Sequence, residues 1–166
     1  MKKKLLALLL AGTMVFSNAS LVFAAEEDPI ASAEEAEATY NFVTPADAVK
    51  AAADGSAYIL DVRLFENYTA GRITNSLWCP QFPLDDESLD AKLADYAKAT
   101  FMGEGDTKPI YIVCNSGQRG AQRATRNLLA AGIAEDRIFT ITGGAAALEK
   151  IEGALTTNRY DEKIDW

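Results

Sequence analysis

Pro109-Ile-Tyr-Ile-Val-Cys114-Asn-Ser-Gly117-Gln-Arg119-Gly120 decides how the rest of the chain is read. Ile110 to Val113 is a short apolar run rich in β-branched side chains and bounded by turn formers, the pattern of a buried strand. Pro109 stands just ahead of it, where a missing N–H does least harm to a ladder. Cys114 closes the run. Small polar residues follow, and a helical pattern starts near Gly120 and stops at Gly132. A thiol is thus expected where a strand hands over to a helix. Backbone N–H groups and the positive end of a helix dipole gather there, and both favour thiolate over thiol.

The 166 residues fit one domain with flanking segments, and 49% of them are apolar, enough for a real core. The formal charge is −8 and there is no histidine. That excludes His-activated nucleophiles and histidine pH switches. Two cysteines without histidine cannot build a four-ligand zinc site, so neither metal nor cofactor is expected. An acidic chain without a basic block argues against nucleic acid as a partner.

Lys2, Lys3 and Lys4 followed by Leu5 to Leu10 have the form of a signal peptide, residues 1–24, with cleavage expected after Ala24. Thr13, Ser17, Asn18 and Ser20 interrupt the apolar run, which falls short of a membrane span. The mature chain is expected to be extracytoplasmic, with no stable membrane insertion. Residues 25–38, rich in Glu and Ala, read as an acidic linker.

The folded domain is assigned to 39–152, with a C-terminal tail, 153–166, that the pattern does not place. Tyr40 to Val43 reads as a first strand. Thr44-Pro45-Ala-Asp47 starts a helix that Gly55 stops. Further strands are expected at Ala57–Val62, Ser76–Cys79 and Arg137–Ile141. Helical segments are expected at Arg63–Ala70 and Asp85–Ala99, and a last one after Gly143-Gly144. Strands alternating with helices indicate an α/β fold, about five mainly parallel strands with helices on both faces. Ligands of such sheets sit at the carboxyl ends of strands, where Cys114 lies.

Ile59-Leu-Asp61-Val-Arg63, then Glu66, Tyr68, Gly71, Ile73 and Pro80, resembles the strand-and-turn signature of rhodanese-like domains. Cys114-Asn-Ser-Gly117-Gln-Arg119 resembles their active-site loop, and Gly143-Gly144 is similar to their closing turn. The order holds from about Thr39 to Lys150. Three positions depart from the pattern: Arg72 replaces a usual His, Gly120 a frequent Ser, and Leu148 a frequent aromatic.

The resemblance implies a thiosulfate sulfurtransferase. Cys114 would take the outer sulfur of a small anionic donor as a persulfide and yield it to cyanide, a thiol or a sulfur-relay protein. The residues support this chemistry independently, since a thiolate is both nucleophile and sulfur carrier. The amides of Asn115, Ser116, Gly117, Gln118, Arg119 and Gly120 are expected to surround the sulfur, with Arg119 binding the anion through its forked guanidinium. Gly117 lets the loop curl. Arg123 reads equally as part of the anion site or as a solvated helix face, and Arg126 as a solvated face. In the family, four residues between Cys and Arg go with sulfur transfer, whereas cysteine phosphatases and arsenate reductases have five; this chain has four. The alternative is a non-catalytic rhodanese-like module for binding or for sulfur or redox sensing. The family strand order would place Cys79 two strands from Cys114, a packed free thiol rather than a disulfide partner. Asp61 and Arg63 are expected to brace the domain, and Trp78 to sit in the core.

Overall fold

The computed structural model describes residues 40–157. The expected signal peptide, the linker, Thr39 and the tail beyond residue 157 lie outside the described residues. The element order is β1 (Asn41–Val43), α1 (Pro45–Asp54), β2 (Tyr58–Asp61), α2 (Phe65–Ala70), β3 (Leu77–Trp78), α3 (Ser88–Phe101), β4 (Ile110–Val113), α4 (Arg119–Ala130), β5 (Ile138–Ile141) and α5 (Gly144–Leu148). The five strands form one sheet in the order β1-β5-β4-β2-β3, and every pairing is parallel. The sheet expected to be mainly parallel is therefore wholly so among the described residues, with β4 at its centre.

Alternation along each strand divides the core into two layers. Leu60, Ile110 and Ile112 face Leu93, Phe101, Ala124 and Leu128 of α3 and α4. Ile59, Val113 and Ile141 face Ala48 and Ala52 of α1 and Leu148 of α5. Both faces of β4 are covered, which is why its sequence runs apolar without a polar alternation.

Local chemistry sets most boundaries. Thr44 caps α1 by accepting from the Asp47 N–H at 3.2 Å, and Gly55 ends it in the left-handed region at φ 72°. The expected start of α3 at Asp85 is corrected to Ser88. Asp86 Oδ1 accepts from both the N–H and the hydroxyl of Ser88, a local turn that competes with helix. At its other end α3 runs past the expected Ala99 to Phe101, which is fully buried with its ring centroid 5.0 Å from that of Tyr58. The start of the unplaced tail docks: Thr156 and Arg72 exchange backbone hydrogen bonds of 2.7 and 3.1 Å.

Candidate active site

Cys114 follows β4 directly, at the carboxyl end of the central strand. The loop after it is fastened from below by α5. The Ala145 N–H donates to the Cys114 carbonyl at 2.8 Å, and the Ala146 N–H to the Asn115 carbonyl at 3.1 Å. A trans peptide sets N–H opposite C=O, so the amides of Asn115 and Ser116 point away from α5. Gly117, at φ 73°, turns the chain back, and its N–H donates to Cys114 Sγ at 3.1 Å. Among the described residues this is the one hydrogen bond to the sulfur, fewer than the surround of amides expected from the sequence.

Two glycines let the loop lie this close. A side chain on Gly117 would meet the Ile141 carbonyl at 2.9 Å and the Gly143 N at 3.1 Å. A Cβ on Gly144 would strike the Cys114 carbonyl and come within 2.7 Å of the Gly117 N. Gly143-Gly144 is therefore more than a turn into the last helix: it is the floor on which the loop rests. The glycine pair was visible after a strand in the sequence, but its contact with a loop far back in the chain was not.

Cys114 itself is 2% exposed, whereas Asn115, Ser116, Gln118 and Arg119 are exposed. The sulfur lies at the base of a loop whose rim faces solvent. Arg119 is the first residue of α4, one position earlier than the expected helix start, and forms no ion pair among the described residues. Asn115 also borders a cleft of about 390 Å³ between α2, α5 and Leu155, into which Glu149 and Asn67 face.

The expected ambiguity of Arg123 is resolved against both readings: it is neither a solvated residue nor one free to meet an anion. Its side chain is 8% exposed and pairs with Asp90 at 2.7 Å. The same guanidinium donates to the carbonyls of Gln81, Pro83, Leu84 and Asp86. It clamps the segment that follows β3. Arg126 is exposed, as expected of a solvated face. The departure at Gly120 has a physical cause in this segment. A Cβ there would come within 2.7 Å of Phe82 Cζ, so the frequent Ser would require this ring to shift.

Asp61 and Arg63 brace the domain. Their side chains pair at 2.7 Å, both almost fully buried, and Asp61 Oδ1 also accepts from the Arg63 N–H. Burial pushes the Asp61 carboxyl up, while the Arg63 guanidinium and its hydrogen bonds pull it back. Arg63 further donates to the Gly71 carbonyl, and half-buried Trp78 donates its Nε1–H to the Arg63 carbonyl. Leu148 is fully buried where the family often has an aromatic.

Both cysteines are free. Asp61 aligns with Trp78 on one side and Val113 on the other, so β2 separates Cys79 from Cys114. Two strand spacings amount to about 10 Å, beyond the reach of a bridge. Burial pushes the Cys79 thiol up to about 12, so it stays neutral at pH 8.5, where an ordinary thiol is half ionised (pKa about 8.5). Iodoacetamide at that pH is therefore expected to label Cys114 in the native protein and leave Cys79 intact. Peptide mass mapping checks this, and equal labelling of the two would contradict it.

Among the described residues no helix is long and apolar enough to cross a membrane, and no cluster of metal-ligating side chains occurs. A family model for the rhodanese-like domain matches residues 44–150. No curated protein matches the chain. Among solved structures, the rhodanese-like domain of an Anabaena sp. protein superimposes with a TM-score of 0.54 at 20% identity, covering 76% of this chain and 89% of its own. A rhodanese-like domain protein from Staphylococcus aureus gives 0.51 at 23%, covering 72% and 99%. An As-Sb reductase from Leishmania major gives 0.57 at 16%, covering 74% and 89%. At these identities the likeness is one of fold. The family match runs from the cap of α1 through α5 and takes in the whole Cys114 loop with the glycine floor beneath it: this chain belongs to the rhodanese-like domain family.

Proposed function

We propose that the protein is a sulfurtransferase that carries sulfane sulfur on Cys114. The observation that carries this reading is the placement of a lone thiol at the end of the central strand, with the Gly117 N–H on its sulfur and Arg119 at the adjoining helix start. The Gly117 N–H meets the sulfur in a chain that has no histidine to offer an imidazole. Cys114 Sγ, as thiolate, attacks the outer sulfur of thiosulfate. A new S–S bond forms, the donor S–S bond breaks, and sulfite leaves with the electron pair. Cyanide or a thiolate then removes the outer sulfur and returns the Cys114 thiolate. Arg119 binds the sulfonate oxygens of the donor through paired N–H groups. The cleft beside Asn115 gives a donor or acceptor room next to the loop. An extracytoplasmic site of action fits the signal-like first 24 residues.

Arg119→Ala tests the anion role. A charged hydrogen bond is worth about 1.5–3 kcal/mol, so the thiosulfate KM is expected to rise roughly tenfold or more while persulfide still forms. An unchanged KM removes Arg119 from the donor site.

The As-Sb reductase shares the fold, but four residues between Cys114 and Arg119 suit sulfur transfer better than oxyanion reduction. A non-catalytic module would have no need for the Cys114–Arg119 pair.

A further inference from the structure

Phe82 belongs to none of the motifs, yet its ring lies against Gly120, where the loop enters α4. Its ring edge and Cys114 Cβ flank a single point, the place where a Gly120 side chain would begin: Phe82 Cζ lies 2.7 Å from that point and Cys114 Cβ 3.3 Å. The half-buried ring packs on the same core cluster as Cys114 and Ala121. It is not a loosely held loop residue. Arg123 grips the carbonyls on both sides of it, those of Gln81, Pro83, Leu84 and Asp86, and is itself held by the Asp90 carboxylate. Asn127 ties the Gln81 side chain to the same carboxylate. Much of this polar work holds the segment that carries the Phe82 ring against Gly120, next to the Cβ of Cys114. Cys114 is 2% exposed.

We propose that Phe82 is the size-selecting wall of the Cys114 site, set in place by Arg123 as a positioning residue, and that it admits donors slender at the transferred sulfur while refusing those with a bulky neighbour. As a statement about donors this rests on the sulfur-transfer reading; as a statement about access to the sulfur it does not. An inorganic thiosulfonate end, with one bare terminal sulfur, passes such a wall. An aryl thiosulfonate has to bring its ring against Phe82.

Both halves can be measured on the full chain. The first arm compares alkylation of Cys114 by iodoacetamide and by N-benzylmaleimide, read by peptide mass. The second compares kcat/KM for thiosulfate and for benzenethiosulfonate. Removing the wall in Phe82→Ala is expected to raise the bulky-to-slender ratio about tenfold in each arm, the scale on which a pocket discriminates by shape. Phe82→Leu, which keeps the core filled, is expected to raise it about threefold and serves if the alanine variant does not fold. Arg123→Lys keeps the charge but loses the multiple carbonyl contacts, so it is expected to move the ratio in the same direction with Phe82 intact. Unchanged ratios in the folded Phe82 variants overturn the wall. If the alkylation ratio shifts but no donor loads sulfur on the wild type, the wall stands and the sulfur-transfer reading falls.

Discussion

Cys114→Ser is expected to fold as the wild type does and to lose thiosulfate-to-cyanide sulfur transfer by at least about 10³-fold, because a hydroxyl is neither ionised at neutral pH nor able to hold a stable outer sulfur. The substitution changes one atom, and the backbone bonds that fasten the loop are untouched: the Cys114 and Asn115 carbonyls still accept from α5. A loss of activity with an unchanged melting temperature therefore reports chemistry and not structure. Cys79→Ala is the matched control. Its thiol is fully buried at the sheet edge and pushed up to about 12, so transfer is expected to survive its removal. Thiocyanate formation read in parallel on both variants checks the pair. Residual transfer in Cys114→Ser comparable to wild type would leave the mechanism without its nucleophile.

Gly144→Ala is the second large effect, and it acts through the floor of the site. Its Cβ would strike the Cys114 carbonyl and lie 2.7 Å from the Gly117 N and 2.9 Å from the Asn115 carbonyl carbon. All three are backbone atoms with no rotamer to yield. The residue also sits at φ 58°, where a side chain is strained in any surroundings. Strain of about 1–3 kcal/mol and overpacking of similar size together predict a loss of about 2–5 kcal/mol. Lifting the loop also moves the Gly117 N–H off the sulfur, and a displacement of about 1 Å is expected to lower the loading rate about 10²-fold. Gly105→Ala separates the two causes. It imposes a similar φ of 75° with nothing within 4 Å of its Cβ. It is expected to cost about 1 kcal/mol and leave loading unchanged. Melting curves and single-turnover loading on both variants check this. Equal loading by Gly144→Ala and wild type would show that the floor does not position the nucleophile.

The parts of the fold legible in the sequence are those written in near neighbours. Ile110 to Val113 announces a buried strand because both faces of β4 are covered, and Thr44, Pro45 and Gly55 mark α1 because a cap bonds within one turn. The nucleophile was legible for the same reason: strand, thiol, small residues and helix are consecutive. What sequence could not show is what lies across the chain from each residue. Helical spacing alone leaves Arg123 evenly divided between anion site and solvated face, and only the segment 81–86, brought over by the fold, turns it into a clamp. Gly120 departs from the family pattern, and only the fold shows that the Phe82 ring lies against it. The later start of α3 is an intermediate case: Asp86 and Ser88 are neighbours, but helix and Asx turn compete closely enough that periodicity misplaced the boundary.

The most direct measurement is the intact mass of the protein after thiosulfate treatment and desalting, followed by mapping of the gain to a peptide. The account predicts one added sulfur atom per chain, carried by the peptide containing Cys114 and removed by cyanide. An unchanged mass, or an added sulfur mapped to Cys79, would contradict it.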